Sequence, residues 1–124
     1  MNAVRHLILV ERNLSIGHAE IYLLEGSANI GRILIGDKEL RGKGLGQKIT
    51  TLLVEYIFTN LNRSVVELNV FDWNIAAIKC YEKAGFKKNA DKKLERKVNG
   101  QTWIAINMWM EKEKYNTLLT NGYE

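Results

Sequence analysis

Residues 41–47 read Arg41-Gly42-Lys43-Gly44-Leu45-Gly46-Gln47, with three glycines in five positions and lysines at 43 and 48. These residue types bind anions. Glycine lets the backbone turn tightly and brings bare N–H groups close to a ligand. A helix starting at once adds its own unpaired N–H groups and the positive end of its dipole. A nucleotide P-loop requires Gly-x-x-x-x-Gly-Lys-Ser/Thr, and here Gly46 is followed by Gln47. The dinucleotide fingerprint Gly-x-Gly-x-x-Gly fails as well, because Gln47 stands where the third glycine belongs. A second group of interest is the pair Asn74 and Tyr81. Their spacing is about two helical turns, so on a helix they share a face. Asn74 is a strong helix N-cap, and a tyrosine hydroxyl can move a proton or simply pack in a core. His6 and His18 are isolated, and Cys80 has no second cysteine to pair with. That excludes an internal disulfide and a cysteine-cage metal site.

The elements that must position these residues follow from pattern. His6–Val10, Ala19–Leu24 and Asn29–Ile35 are apolar and β-prone, separated by turn-formers at Asn13–Gly17 and Glu25–Ser27. After the glycines, apolar residues at 49, 52, 53, 56 and 57 form one stripe of an amphipathic helix reaching about Asn60. Val65–Val70 alternates as a strand, and a second helix runs from Asn74 to a stop at Gly85. Leu94–Val98, Asn99-Gly100 and Gln101–Met110 predict a hairpin, since Asn-Gly suits the tight turn. The order is β-β-β-α-β-α-β-β, an α/β (α+β) arrangement with a mixed, mostly antiparallel central sheet and helices packed on it. Residues 1–111 are read as one domain, and 112–124 as a frayed polar tail.

Composition sets the outer limits. Among 124 residues, 46% are hydrophobic and 26% charged, a balance that suits one globular core. Eighteen basic and fourteen acidic residues give a formal charge of +4, a mild excess that attracts an anionic ligand. No stretch has the roughly 20 apolar residues of a membrane span. With no apolar run of signal-peptide length either, the expectation is a cytoplasmic protein without a membrane partner.

Two motifs carry a family resemblance. Arg-x-x-Gly-x-Gly, as Arg41, Gly44 and Gly46, resembles the acyl-CoA pyrophosphate loop of the GNAT acetyltransferases. Asn74-Ile75-Ala76-Ala77-Ile78-Lys79-Cys80-Tyr81-Glu82-Lys83-Ala84-Gly85-Phe86 is similar to that family's second signature, an asparagine opening a helix that ends Tyr-Glu-Lys-x-Gly-Phe. The texture is nearest the branch of ribosomal-protein and polyamine acetyltransferases. The resemblance implies an N-acetyltransferase using acetyl-CoA as co-substrate, with no metal, and a primary amine of a small molecule or protein as acceptor. It implies that backbone N–H groups of Gly42, Lys43, Gly44, Leu45, Gly46 and Gln47 hold the pyrophosphate. Leu34, Ile35 and Gly36 would pair with the pantetheine arm as an added strand does, on a strand splayed from its neighbour. Asn74 would bond the same arm or cap its helix. Tyr81 would be the acid that protonates the departing thiolate, an ordinary thiol having a pKa of about 8.5. Cys80 is expected to point elsewhere as an inert thiol. The family's usual glutamate base is replaced by Asn29 and Asn69, leaving Glu67 and Glu20 as candidates.

Relative to the family pattern, the chain starts just before the second strand, and about 30–40 family residues forming a strand and two helices are not in it. Apolar opening strands without those helices lead to the expectation of a homodimer, with Gln101–Met110 packed across the interface or exchanged. Two other readings remain: a CoA-binding module without turnover, and a nucleic-acid binder using Lys87, Lys88, Lys92, Lys93, Arg96 and Lys97. That basic run has no interleaved aromatics and reads more simply as a solvated hairpin edge.

Overall fold

The alternating apolar positions become one face of a six-stranded sheet. The computed structural model describes residues 3–11, 14–35 and 45–121. Its elements are β1 (Ala3–Glu11), β2 (Leu14–Leu23), β3 (Ser27–Ile35), α1 (Leu45–Thr59), β4 (Val65–Phe71), α2 (Ile75–Ala84), β5 (Lys87–Val98), β6 (Gln101–Glu111) and α3 (Lys112–Asn121). The strands lie in the order β1-β2-β3-β4-β6-β5. Every neighbouring pair is antiparallel except β3 with β4, which α1 joins as a crossover. The expected order is present, with one helix more.

Ile21, Leu23, Ala28, Ile30, Val66, Leu68, Val70, Met108 and Met110 point to the covered face. They share one core with Ile49, Leu53, Val54, Ile57 and Phe58 of α1, Ile78 and Ala84 of α2, and Tyr115 of α3. The other face carries Asn29, Glu67, Asn69, Asn107 and Trp109 at matched register positions. No described helix covers it.

Helix α2 keeps the limits read from the sequence. Asn74 caps it, its side chain accepting a hydrogen bond from Ala77 N at 3.3 Å. Gly85 ends it at φ 111°, a left-handed conformation in which glycine avoids a Cβ clash. The β5–β6 hairpin turns at Asn99 (φ 49°) and Gly100 (φ 80°), as Asn-Gly predicts.

Two expectations are corrected. Residues 112–121 are not a frayed tail but the helix α3. Its order comes from docking: Tyr115 is 3% exposed, and its ring meets Phe58 at 5.2 Å. Leu118 packs on the same core. The expected turn at Asn13–Gly17 is narrower than read, since β2 already begins at Leu14. There the β1–β2 ladder continues past a register shift at Leu9/Val10.

Candidate active site

The β3–β4 ladder is short. It pairs Ser27–Ile30 with Val65–Leu68 and stops, although β3 runs on to Ile35 and β4 to Phe71. Beyond that point the two strands part and the sheet opens. The β2–β3 register steps from Glu20↔Arg32 to Ile21↔Ile30, so Gly31 is the extra residue of a bulge at the fork. A Cβ at Gly31 would overlap the Tyr22 ring, so a glycine lets that ring lie flat on the strand. The splay expected from the family resemblance is therefore present in the backbone.

Two cavities meet at this opening. One, of about 540 Å3, lies on the helix side and is lined by Ile33, Gly46, Gln47, Thr50, Ala77, Cys80, Tyr81 and neighbours. Lys79 and Lys83 add positive charge, and no acidic residue stands among its described lining. The N-terminus of α1 contributes Gly46 and Gln47 to this wall, so the positive end of its dipole faces the space. Such a cavity fits an extended anionic ligand. The second, about 500 Å3, runs to the open face and is lined by Asn29, Gly31, Asn69, Phe71, Asn74, Tyr81, Arg96 and others. Ala77 and Tyr81, one turn apart on α2, belong to both. A further cavity of about 540 Å3 between Phe86, Trp109 and Leu118 lies away from the fork and carries mixed charge. It contains none of the candidate catalytic or cofactor-binding residues.

Tyr81 is half-buried, packs on the core and meets Phe86 edge-on at 6.0 Å. Burial pushes its pKa up, and the neighbouring Cys80 adds to the shift, so the hydroxyl keeps its proton. Cys80 departs from expectation. It does not point elsewhere but lines the helix-side cavity beside Tyr81. Burial raises its thiol pKa more than Lys83 lowers it, which favours the unreactive thiol.

The structure brings together Gly46, Gln47, Asn74 and Tyr81 of the residues singled out in the sequence. Leu34 and Ile35 continue β3 past the fork, and Leu45 opens α1. Gly36, Arg41, Gly42, Lys43 and Gly44 lie outside the described residues. Neither candidate base reaches either cavity lining. Glu67 forms an ion pair with Lys92 at 3.2 Å, and Glu20 accepts a hydrogen bond from the Tyr22 hydroxyl at 2.8 Å. The basic run falls largely on the edge strand β5. Its Lys87 sits 4.4 Å over the Trp109 ring, so these charges are partly spent on the protein itself.

Sequence reasoning missed Asn107, a side chain 1% exposed on β6. The signal was a lone amide inside the apolar run Trp103–Met110. Its partners, on β4 and β5, are not readable from the chain order.

A mixed sheet parted at its parallel seam, with a helix N-terminus bordering the gap, defines the α/β architecture of this chain. The chain belongs to the acetyltransferase (GNAT) family, whose model matches residues 2–86. It is 34% identical over 86 residues to an aminoglycoside N(6')-acetyltransferase type 1 of Klebsiella pneumoniae, covering 59% of this chain and 42% of that protein. A chimera of spermidine N-acetyltransferase SpeG from Vibrio cholerae with hSSAT superposes with a TM-score of 0.81 at 27% identity, covering 92% of this chain and 70% of that one. AAC(6')-Ib in complex with ribostamycin and coenzyme A superposes at 0.75 with 25% identity, covering 91% and 66%. The chain spans less than half the length of the curated relatives it matches.

Proposed function

We propose that this chain is a cytoplasmic N-acetyltransferase that moves an acetyl group from acetyl-CoA to a primary amine of a small molecule or protein. The observation that carries this reading is Tyr81 in the wall shared by the two cavities. Donor and acceptor would meet there from opposite sides of the parted sheet. The relatives with aminoglycoside and spermidine in their names support a small-molecule amine.

Acetyl-CoA supplies the activated acetyl group. Leu34 and Ile35 at the end of β3 lie past the β3–β4 ladder, and together with Gly36 they would pair with the pantetheine arm. Arg41–Gln47 with Lys79 and Lys83 would hold its phosphates. Asn74 uses its side-chain oxygen as a cap, which leaves its NH2 group for the ligand. The acceptor amine must arrive uncharged; its nitrogen bonds to the acetyl carbon as the carbon–sulfur bond breaks. The Tyr81 hydroxyl gives its proton to the departing sulfur, and the proton lost by the new amide goes to solvent, which later restores the tyrosine. No described carboxylate lines either cavity, so the reading assigns no protein base.

A pH profile tests these roles. Tyr81 is raised above the ordinary tyrosine value of about 10 and stays protonated below it. The acceptor ammonium, with a typical alkylamine pKa of about 10.4, must first lose a proton. Measured as CoA thiol release over a panel of amines, kcat/KM should climb with pH from about 7 to 9. A falling limb in that interval would count against Tyr81 as the acid. If acetyl-CoA binds but no amine releases thiol, the chain is a CoA-binding module instead.

The reading includes a homodimer. Val4 is 42%, Tyr22 38% and Trp73 58% exposed, and β1 is a free sheet edge. The opposite edge, β5, is guarded by lysines and so is poorly suited to pairing. Strand β6 lies inside its own sheet, which speaks for packing of faces rather than strand exchange. Sedimentation is expected to give a species of twice 14.2 kDa; a monomer across the micromolar range would overturn the dimer.

A further inference from the structure

A directed chain of three asparagines crosses the open face of the sheet and ends in the outer cavity. Asn69, Asn107 and Asn89 are register partners on β4, β6 and β5. Asn89 Nδ2 donates to Asn107 Oδ1 at 3.4 Å. Asn107 Nδ2 donates to the Leu68 carbonyl at 3.4 Å and to Asn69 Oδ1 at 3.1 Å.

The direction of the chain is not free. A backbone carbonyl can only accept, so the nitrogen end of Asn107 must face Leu68. The same nitrogen donates to Asn69, which must then turn its oxygen inward. Asn107 is 1% exposed and could not reverse without leaving buried groups unpaired. Asn69, exposed on the wall of the outer cavity, is left with its NH2 group directed away from Asn107 and available to a ligand.

We propose that Asn69 is a fixed hydrogen-bond donor in this cavity, binding an oxygen of the reacting pair, and that Asn107 is the residue that positions it. The proposal rests on the acetyltransferase reading for the identity of that oxygen: the acetyl carbonyl or an oxygen of the acceptor. It also gives Asn69 a donor's part rather than that of the missing base, because an amide oxygen is too weakly basic to take an ammonium proton.

Asn69→Asp and Asn69→Ala distinguish a donor from an acceptor. Asp keeps the shape but cannot donate, so both variants should lose activity alike, by about three- to tenfold, the worth of one hydrogen bond. A fall in kcat at constant amine KM assigns the oxygen to the acetyl group. A rise in KM at constant kcat assigns it to the acceptor. An Asp variant as active as the parent, or more so, would overturn the proposal, since the carboxylate would then be serving as an acceptor or base. Asn107→Asp, which forces the Asn69 amide to reverse, should reproduce the kinetic signature of Asn69→Asp without touching substrate. If it is too unstable to assay, side-chain amide NMR of the parent decides the point. Asn107 NH2 protons should resist exchange, and the Asn69 NH2 signals should move on adding acetyl-CoA with an amine. Rapid exchange at Asn107, or an unmoved Asn69 beside a shifting Gly46, would overturn the assignment. A parent that releases no thiol with any amine defeats the acetyltransferase reading separately, because the exchange measurement still reports the direction of the chain.

Discussion

Replacing Tyr81 with phenylalanine should lower turnover by about 10²–10⁴-fold while leaving acetyl-CoA affinity unchanged, the range expected for loss of one general acid. The substitution removes only an oxygen. The ring is packed on the core and against Phe86, and phenylalanine keeps those contacts, so the fold should be retained. The size of the loss follows from the leaving group. Without a donor, the sulfur must depart as a thiolate inside a partly dehydrated wall, where an unpaired charge is costly. The residue must be judged by the split between binding and turnover. Parent rates with every tested amine would reduce Tyr81 to a packing role.

Gly46→Val is expected to weaken acetyl-CoA binding tenfold or more, about 1.4 kcal/mol, with no loss of stability. The structure makes this substitution informative. Among the described residues a Cβ at Gly46 would meet nothing closer than Cys80 Sγ at 4.0 Å, so they leave room for it. The residue sits in the first turn of α1, where valine costs no more than glycine. What the added methyls would fill is the helix-side cavity itself, at the place where bare N–H groups face the ligand. Calorimetric titration of the folded variant gives the answer, and unchanged affinity would move the phosphate site elsewhere.

The parts of this protein legible in its sequence are those written in local chemistry. Asn74 and Gly85 delimit α2 because a cap and a left-handed turn need those residue types whatever surrounds them. Asn99-Gly100 gives the hairpin for the same reason. The parting of β3 from β4 could be expected only through a family resemblance, because it depends on where a ladder between distant segments ends. Helix α3 was misread because Tyr115 and Leu118 are its main apolar anchors, and they count only once Phe58 and Gly85 are in place. Cys80 was misplaced for a related reason. Its position on α2 was clear, but the breadth of the cavity beside that helix was not. Asn107 was visible as an oddity in an apolar strand, while the meaning of the oddity lay on two other strands.

The short parallel seam also bears on how the chain can assemble. β1, β2 and β3 are consecutive in sequence and pair antiparallel as neighbours, whereas β4 pairs with β6 across α2 and β5. The β1–β2–β3 half and the β5–β6 hairpin of the other half can therefore form from contacts of low sequence separation, which close quickly. Strand β4 needs distant returns of the chain on both sides, pairing Val65–Leu68 with Ser27–Ile30 of β3 and Val65–Phe71 with β6. That pairing should come late and set the folding rate, with α1 docking across both halves as it happens. The site is then the last part of the molecule to exist, because the fork has no shape until the two halves are joined beside it.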